Sequence, residues 1–135
     1  MKSNDRSIAY LMLRLAFGLN ICAHGAVRFG ANYQKFIDST AQQFAATPLP
    51  TWSVDLFSHS IPVLEFAVGL FLMLGLGTRY AAVVGNFVMM GLIFGMSILQ
   101  NWEIVGIQMI YVLCYFLILF LNEYNDYSLD RRILK

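Results

Sequence analysis

This sequence predicts an all-α integral membrane protein, a four-helix bundle with a short amphipathic helix in its first long connection. Three observations support that fold. First, of the 135 residues 59% are apolar and 13% charged, against roughly 45–50% and about 25% in soluble domains. A domain this small has too few polar side chains here to cover itself in water. Second, four apolar runs each have the length, about 20 residues at 1.5 Å per residue, that a hydrocarbon core of about 30 Å demands. Third, none alternates like a barrel strand, which leaves helices to satisfy the backbone in lipid.

The first run, Ile8 to about Phe29, is too long for a cleavable leader, contains Arg14, and has no small-residue cleavage site after it. It reads as a span that stays. In the connection that follows, Tyr33, Phe36, Ile37, Ala41 and Phe44 recur at helical spacing, while Lys35, Asp38 and Gln42 fall elsewhere on the wheel. This predicts a short amphipathic helix over about 32–46, on the membrane surface or covering the bundle, ended by Pro48 and Pro50. The second span runs from about Phe57 to Leu76, the third from Tyr80 to Leu99, the fourth from Ile104 to Leu121. Gly77 suits a helix C-terminus and Thr78 can cap the next start. Trp102, in the link after the third span, is placed as an interfacial anchor. Such short links make spans two, three and four antiparallel neighbours. The whole chain, 1–135, reads as a single membrane domain with a polar tail over 122–135.

Charge sets the orientation. Lys2, Arg6, Arg79, Arg131, Arg132 and Lys135 fall on one side of the spans, Arg28 and Lys35 on the other. The positive-inside rule puts both termini and the interfacial turn at Arg79 in the cytoplasm, as in a multi-pass protein of the inner (plasma) membrane. The tail reads as a solvated segment that sets topology, with Arg131 and Arg132 in reach of anionic lipid. A net charge of +1 argues neither for nor against nucleic acid, and no nucleic-acid partner is expected of a chain that spans a bilayer.

Ionisable and amide side chains inside spans are expensive and mark partners or function. Counting 1.5 Å per residue from the cytoplasmic end puts Arg14 and Asn86 roughly 9–10 Å deep, and Glu65, Gln108 and His24 roughly 17–24 Å deep. A carboxylate at that depth is protonated or paired. The nearest candidate partners for Glu65 are His24 above and Arg14 below. Two readings of this polar core stand: a proton-handling or ligand-binding group, or an ion pair that fixes helix packing. His24 can exchange a proton near neutral pH, or simply hydrogen-bond at a helix end. Two good ligands at one level make no metal site. Cys22 and Cys114 differ by about 10 Å in depth, too far for a disulfide, and read as small apolar residues. Arg14, Gly18, Ile21, Gly25 and Arg28 lie near one line of the first span, and Gly69 sits one turn from Glu65. These small residues predict close contact between spans one and two, with Glu65 buried between them.

The residues also resemble a family. Leu13-Arg14-Leu15-Ala16-Phe17-Gly18, then His24-Gly25-Ala26-Val27-Arg28, resembles the R-x-x-x-G … H-G-x-x-K opening of DoxX-type membrane proteins. Pro48-Leu49-Pro50 resembles the proline segment before their second span. Glu65 to Gly69, then Leu74-Gly75-Leu76-Gly77-Thr78-Arg79, resembles their E-x-x-x-G … L-G-L-x-T-R block. Arg28 stands where the pattern more often has Lys, which keeps the charge and changes its geometry. The resemblance implies a four-helix membrane fold and a shared polar core at Arg14, His24, Glu65 and Arg79. Relatives include a subunit of an archaeal thiosulfate:quinone oxidoreductase and a mycobacterial member associated with a membrane oxidoreductase complex.

By that resemblance the chain is expected to be a membrane subunit of a quinone-linked redox system, with quinone as its cofactor, no haem or metal, and a membrane protein partner or a second copy beside it. Two other classes stay open. A non-catalytic scaffold or assembly factor fits the small size and short loops. A small proton-coupled carrier would need oligomerisation, since no inverted repeat is visible.

Overall fold

A computed structural model describes residues 3–133. All regular structure among them is helical: α1 (Ser3–Ala26), α2 (Ala31–Phe44), α3 (Thr51–Leu74), α4 (Thr78–Ile98), α5 (Trp102–Phe120), a 3-10 turn (Asn122–Tyr124) and α6 (Leu129–Ile133). Helices α1, α3, α4 and α5 are long and apolar enough to cross a membrane. Around the bundle α1 packs on α3, α3 on α4, α4 on α5, and α5 returns to α1, while α2 lies against α3.

The spans shift from their expected limits where polar residues continue a helix past the apolar run. Helix α3 starts at Thr51, not near Phe57, because Pro50 is extended (φ −61°, ψ 135°) and its carbonyl accepts from Ser53 and Val54 at 3.0 and 3.4 Å. Proline just before a first turn is well tolerated, since that turn's donors have no helical partners anyway. Helix α1 stops at Ala26, and residues 27–30 turn the chain, with Gly30 at φ 67°.

The seam between α1 and α3 organises the molecule. A Cβ on Gly69 would fall on the backbone of Cys22. One on Gly25 would lie 2.6 Å from the Pro62 carbonyl oxygen, and one on Gly18 would lie 3.0 Å from the Gly69 carbonyl. With no side chains between them, the two backbones touch. In lipid, where apolar surface gains little by leaving the solvent, such dense contact is a main source of helix association. Beside the seam Phe17 meets Tyr115 of α5 edge-on, with centroids 4.7 Å apart. Ile21, Leu72, Ala82 and Ile118 complete that core.

One end of the bundle is closed by the C-terminal segment. Helix α3 ends in a Schellman turn, with Gly75 left-handed (φ 65°) and the Leu76 N–H donating to Phe71 O at 3.0 Å. Arg14 is 1% exposed and reaches this helix end. Its Nη1 donates to Leu72 O and Met73 O at 2.6 and 3.1 Å, and its Nη2 to Tyr127 O at 2.7 Å. A cation at a helix C-terminus meets the negative end of the dipole and takes carbonyls that have no helical donor. The Asp130 carboxylate accepts from the Gly77 and Thr78 N–H groups at 2.6 and 2.9 Å, capping α4. Thr78 therefore does not cap its own helix; its hydroxyl accepts from Asn125 at 3.1 Å. Ser7 donates to Asp126 at 2.6 Å, Arg6 to Tyr124 at 2.8 Å, and Tyr127 to Asn4 at 2.9 Å.

The tail is thus a docked segment rather than the solvated one its composition suggests. It supplies groups that three helix ends require. Arg131 and Arg132 remain exposed, while Lys2 and Lys135 lie outside the described residues. The N-terminal end of α1, the α3–α4 turn and the tail share this end; α2 and the α4–α5 link lie at the other.

Two outcomes follow for stability, each read by thermal unfolding of the purified chain in one detergent. Gly69→Ala destabilises by about 3 kcal/mol, since the Cys22 backbone cannot yield to a new methyl. Gly106→Ala, where nothing lies within 4 Å of the added Cβ, is neutral or stabilising by up to about 1 kcal/mol. Equal effects at the two glycines would remove the seam from its organising place. At the closed end, Asp130→Ala costs about 1 kcal/mol as a lost cap. Arg14→Met costs about 3 kcal/mol, because it strands carbonyls that a buried cation now satisfies. A tail that is merely solvated would leave Asp130→Ala silent.

Candidate functional site

The far half of the bundle is hollow. A cavity of about 480 Å³ lies among α1, α3, α4 and α5, with Phe36, Thr40 and Phe44 of α2 on its outer side. Its walls are mainly apolar, from Ile21, Phe57, Ile61, Met89 and Leu92 among others. Glycines of α4 let two aromatic rings of the wall pack against its backbone. A Cβ at Gly91 would lie 2.6 Å from the Phe57 ring, and one at Gly95 would lie 3.1 Å from the Phe44 ring. These two rings take the room that side chains on α4 would fill. Phe94 on α4 and Ile107 on α5 line the cavity yet are 61% and 51% exposed, so it opens on the flank of the bundle.

Three of the residues singled out in the sequence reach this cavity: Glu65, His24 and Gln108. Glu65 is buried on α3, one turn before Gly69. Its partner is neither His24 nor Arg14, contrary to expectation. Arg28 Nη1 donates to Glu65 Oε2 in an ion pair. The physical reason is the end of α1. Because the helix stops at Ala26, the following turn folds Arg28 back over the seam, and Phe36 of α2 covers its guanidinium at 4.6 Å. A cation facing an aromatic ring on one side and a carboxylate on the other is held from both sides. Arg14 is spent at the opposite end of α3, on the carbonyls described above.

His24 is exposed on α1 beside the cavity and forms no hydrogen bond to Glu65. Its Nε2 lies 3.3 Å from the Tyr111 hydroxyl, with the two rings edge-on at 6.2 Å. That hydroxyl accepts from Asn20 Nδ2 at 3.1 Å, and the direction of its bond with His24 is set by the imidazole tautomer. Gln108 lines the cavity from α5, and its Oε1 is buried with no hydrogen-bond partner among the described residues.

The remaining candidates lie elsewhere. Asn86 is half-buried on α4 away from the cavity, and its Oδ1 has no partner among the described residues. Arg79 is exposed at the α3–α4 turn. No group of His, Cys, Asp and Glu among the described residues is spaced to hold a metal.

Sequence reasoning missed Arg28 as the partner of Glu65, and missed Tyr111. Signals for both existed. Arg28 lies on the same line of α1 as Gly18 and Gly25, the residues that touch α3. Tyr111 follows Gln108 by three residues and so shares its face of α5. Together the groups form an apolar chamber with a buried ion pair on one wall and a tyrosine–histidine pair and an amide on another. Such a chamber suits a largely apolar molecule with a polar head: it can hold a head group, donate to and accept from it, and exchange a proton through imidazole, phenol or carboxylate.

No curated protein and no solved structure matches the chain. A family model does: the DoxX model matches residues 9–98, which is 90 of the 135 residues and runs from α1 to the end of α4. The charged pair Arg28–Glu65, His24, and the seam glycines Gly18, Gly25 and Gly69 all fall inside that segment, and the chain belongs to the DoxX family.

Proposed function

We propose that this chain binds a quinone in the α2-covered cavity and serves as a membrane subunit of a quinone-linked redox system. The observation that carries this reading is the chamber itself, an apolar space of about 480 Å³ with a few convergent polar groups at membrane depth. Its volume lies within the range of roughly 300–1,000 Å³ typical of small-molecule sites. The residues fit the group. Carbonyl oxygens on a ring want donors, which Arg28 and the Gln108 amide supply, and the ring and its hydrocarbon tail want apolar walls. The opening between Phe94 and Ile107 faces where lipid would lie, which gives a hydrophobic tail a place to leave.

When bound, a quinone supplies two-electron, two-proton redox chemistry. The chain's own residues hold the head, exclude water and move protons. Glu65 and His24 are the proton-handling groups, and Tyr111 joins His24 to Asn20. Electrons come from a partner protein in the same membrane. The closed end of the bundle carries Arg6, Arg79, Arg131 and Arg132, so we place that end in the cytoplasm. The chamber then faces the outer half of an inner membrane, and its protons exchange with that side.

Gentle native purification followed by mass spectrometry tests this. The wild-type chain should retain a quinone at about one per chain. Thr40→Trp, which sets an indole from α2 into the cavity, should lose it while staying folded. Quinone retained equally by Thr40→Trp would move the site elsewhere. A stoichiometric protein partner with no quinone would replace this reading with that of a scaffold.

A further inference from the structure

We infer that Gln108 of α5, with Tyr111 one turn along, anchors the second oxygen of the bound ring, so that the site selects a ring with two opposed oxygens, a para-quinone or its quinol. This rests on the quinone reading above. The chamber has polar groups on two separate walls. One wall, from α1 and α3, carries Arg28 and Glu65. The other, from α5, carries Gln108 and Tyr111. Each wall offers both a donor and an acceptor. Arg28 donates and the Glu65 carboxylate accepts. The Gln108 amide does both, and rotation about its last torsion exchanges the two. A site that must hold a carbonyl in one redox state and a hydroxyl in the other needs that pairing at each end.

Gln108 is not a fastener of the bundle. Its Oε1 is buried without a partner among the described residues, whereas Asn20, nearby on α1, is bonded to Tyr111. An unpaired buried oxygen costs stability, and this one borders the cavity, where a ligand's hydroxyl can pair with it.

The full chain in lipid nanodiscs is titrated calorimetrically with menadione and with 2-methylnaphthalene, the same ring system lacking both oxygens. Wild type binds menadione the more tightly. Gln108→Leu lowers menadione affinity about tenfold, leaves 2-methylnaphthalene affinity unchanged, and holds or raises the melting temperature. Unchanged menadione affinity in Gln108→Leu overturns this inference and leaves the quinone reading standing. A lowered melting temperature with both ligands weakened makes Gln108 structural and overturns it too. Wild type that binds the two compounds equally, or neither, defeats the quinone reading and this inference with it.

Discussion

The register of α1 against α3 is the constraint on which the other features depend. Gly69 admits the backbone of Cys22, and Gly25 admits that of Phe66. A shift of one residue in either helix would turn a side chain into a space that holds none. Helix α1 carries Arg14 on this face, and the turn that follows it carries Arg28, fourteen residues further along. Once the glycines fix the register, Arg14 arrives at the last carbonyls of α3 and Arg28 arrives at Glu65. One contact line thus places two charges that lipid would otherwise exclude.

The two arginines are placed by the same seam but meet different chemistry. Arg14 meets neutral carbonyls at a helix terminus, where the backbone itself is short of donors. Both of its terminal nitrogens are bonded, and the tail that supplies Tyr127 O also supplies the Asp130 cap. Arg28 meets a carboxylate beside a hollow, and only one face of its guanidinium is covered by Phe36. Glu65 is buried while Arg28 stays partly exposed, and the desolvation of the carboxylate keeps the pair's net contribution to stability small even when breaking it is costly. It is a weak fastener, but a useful polar surface for a chamber.

How far the sequence foretold this follows from which forces leave a mark on composition. Hydrocarbon demands a fixed length of apolar helix, so four spans and their antiparallel order were legible. Depth grows evenly along a helix, and Glu65, His24 and Gln108, put at one level on that ground, all line the cavity. Partners across the bundle were not legible, because they depend on where α1 ends. Helix α1 ends at Ala26, and the turn after it brings Arg28 onto Glu65. The docked tail was invisible for another reason: Asp126, Asp130 and Arg131 have the same composition whether they meet water or unpaired backbone. Tyr111 went unremarked among seven tyrosines, and only its neighbours mark it out.

The unequal ends of the bundle suggest why so small a membrane domain can hold a cavity at all. A void lined by side chains forfeits dispersion contacts on every wall, and four helices have few contacts to spare. Here the stabilising elements gather at the other end: the capped α3 and α4 termini, the buried Arg14, the Phe17–Tyr115 core and the tail that locks them. Local stability in proteins is uneven, and binding regions are drawn from its weaker part. The chamber end shows that weakness in its flank, left open between Phe94 and Ile107. A sequence selected for bundle stability alone would place an apolar side chain at Gln108. Keeping a polar one beside the cavity, in a chain that gathers its strongest interactions at the opposite end, is the arrangement expected of a bundle built to hold something.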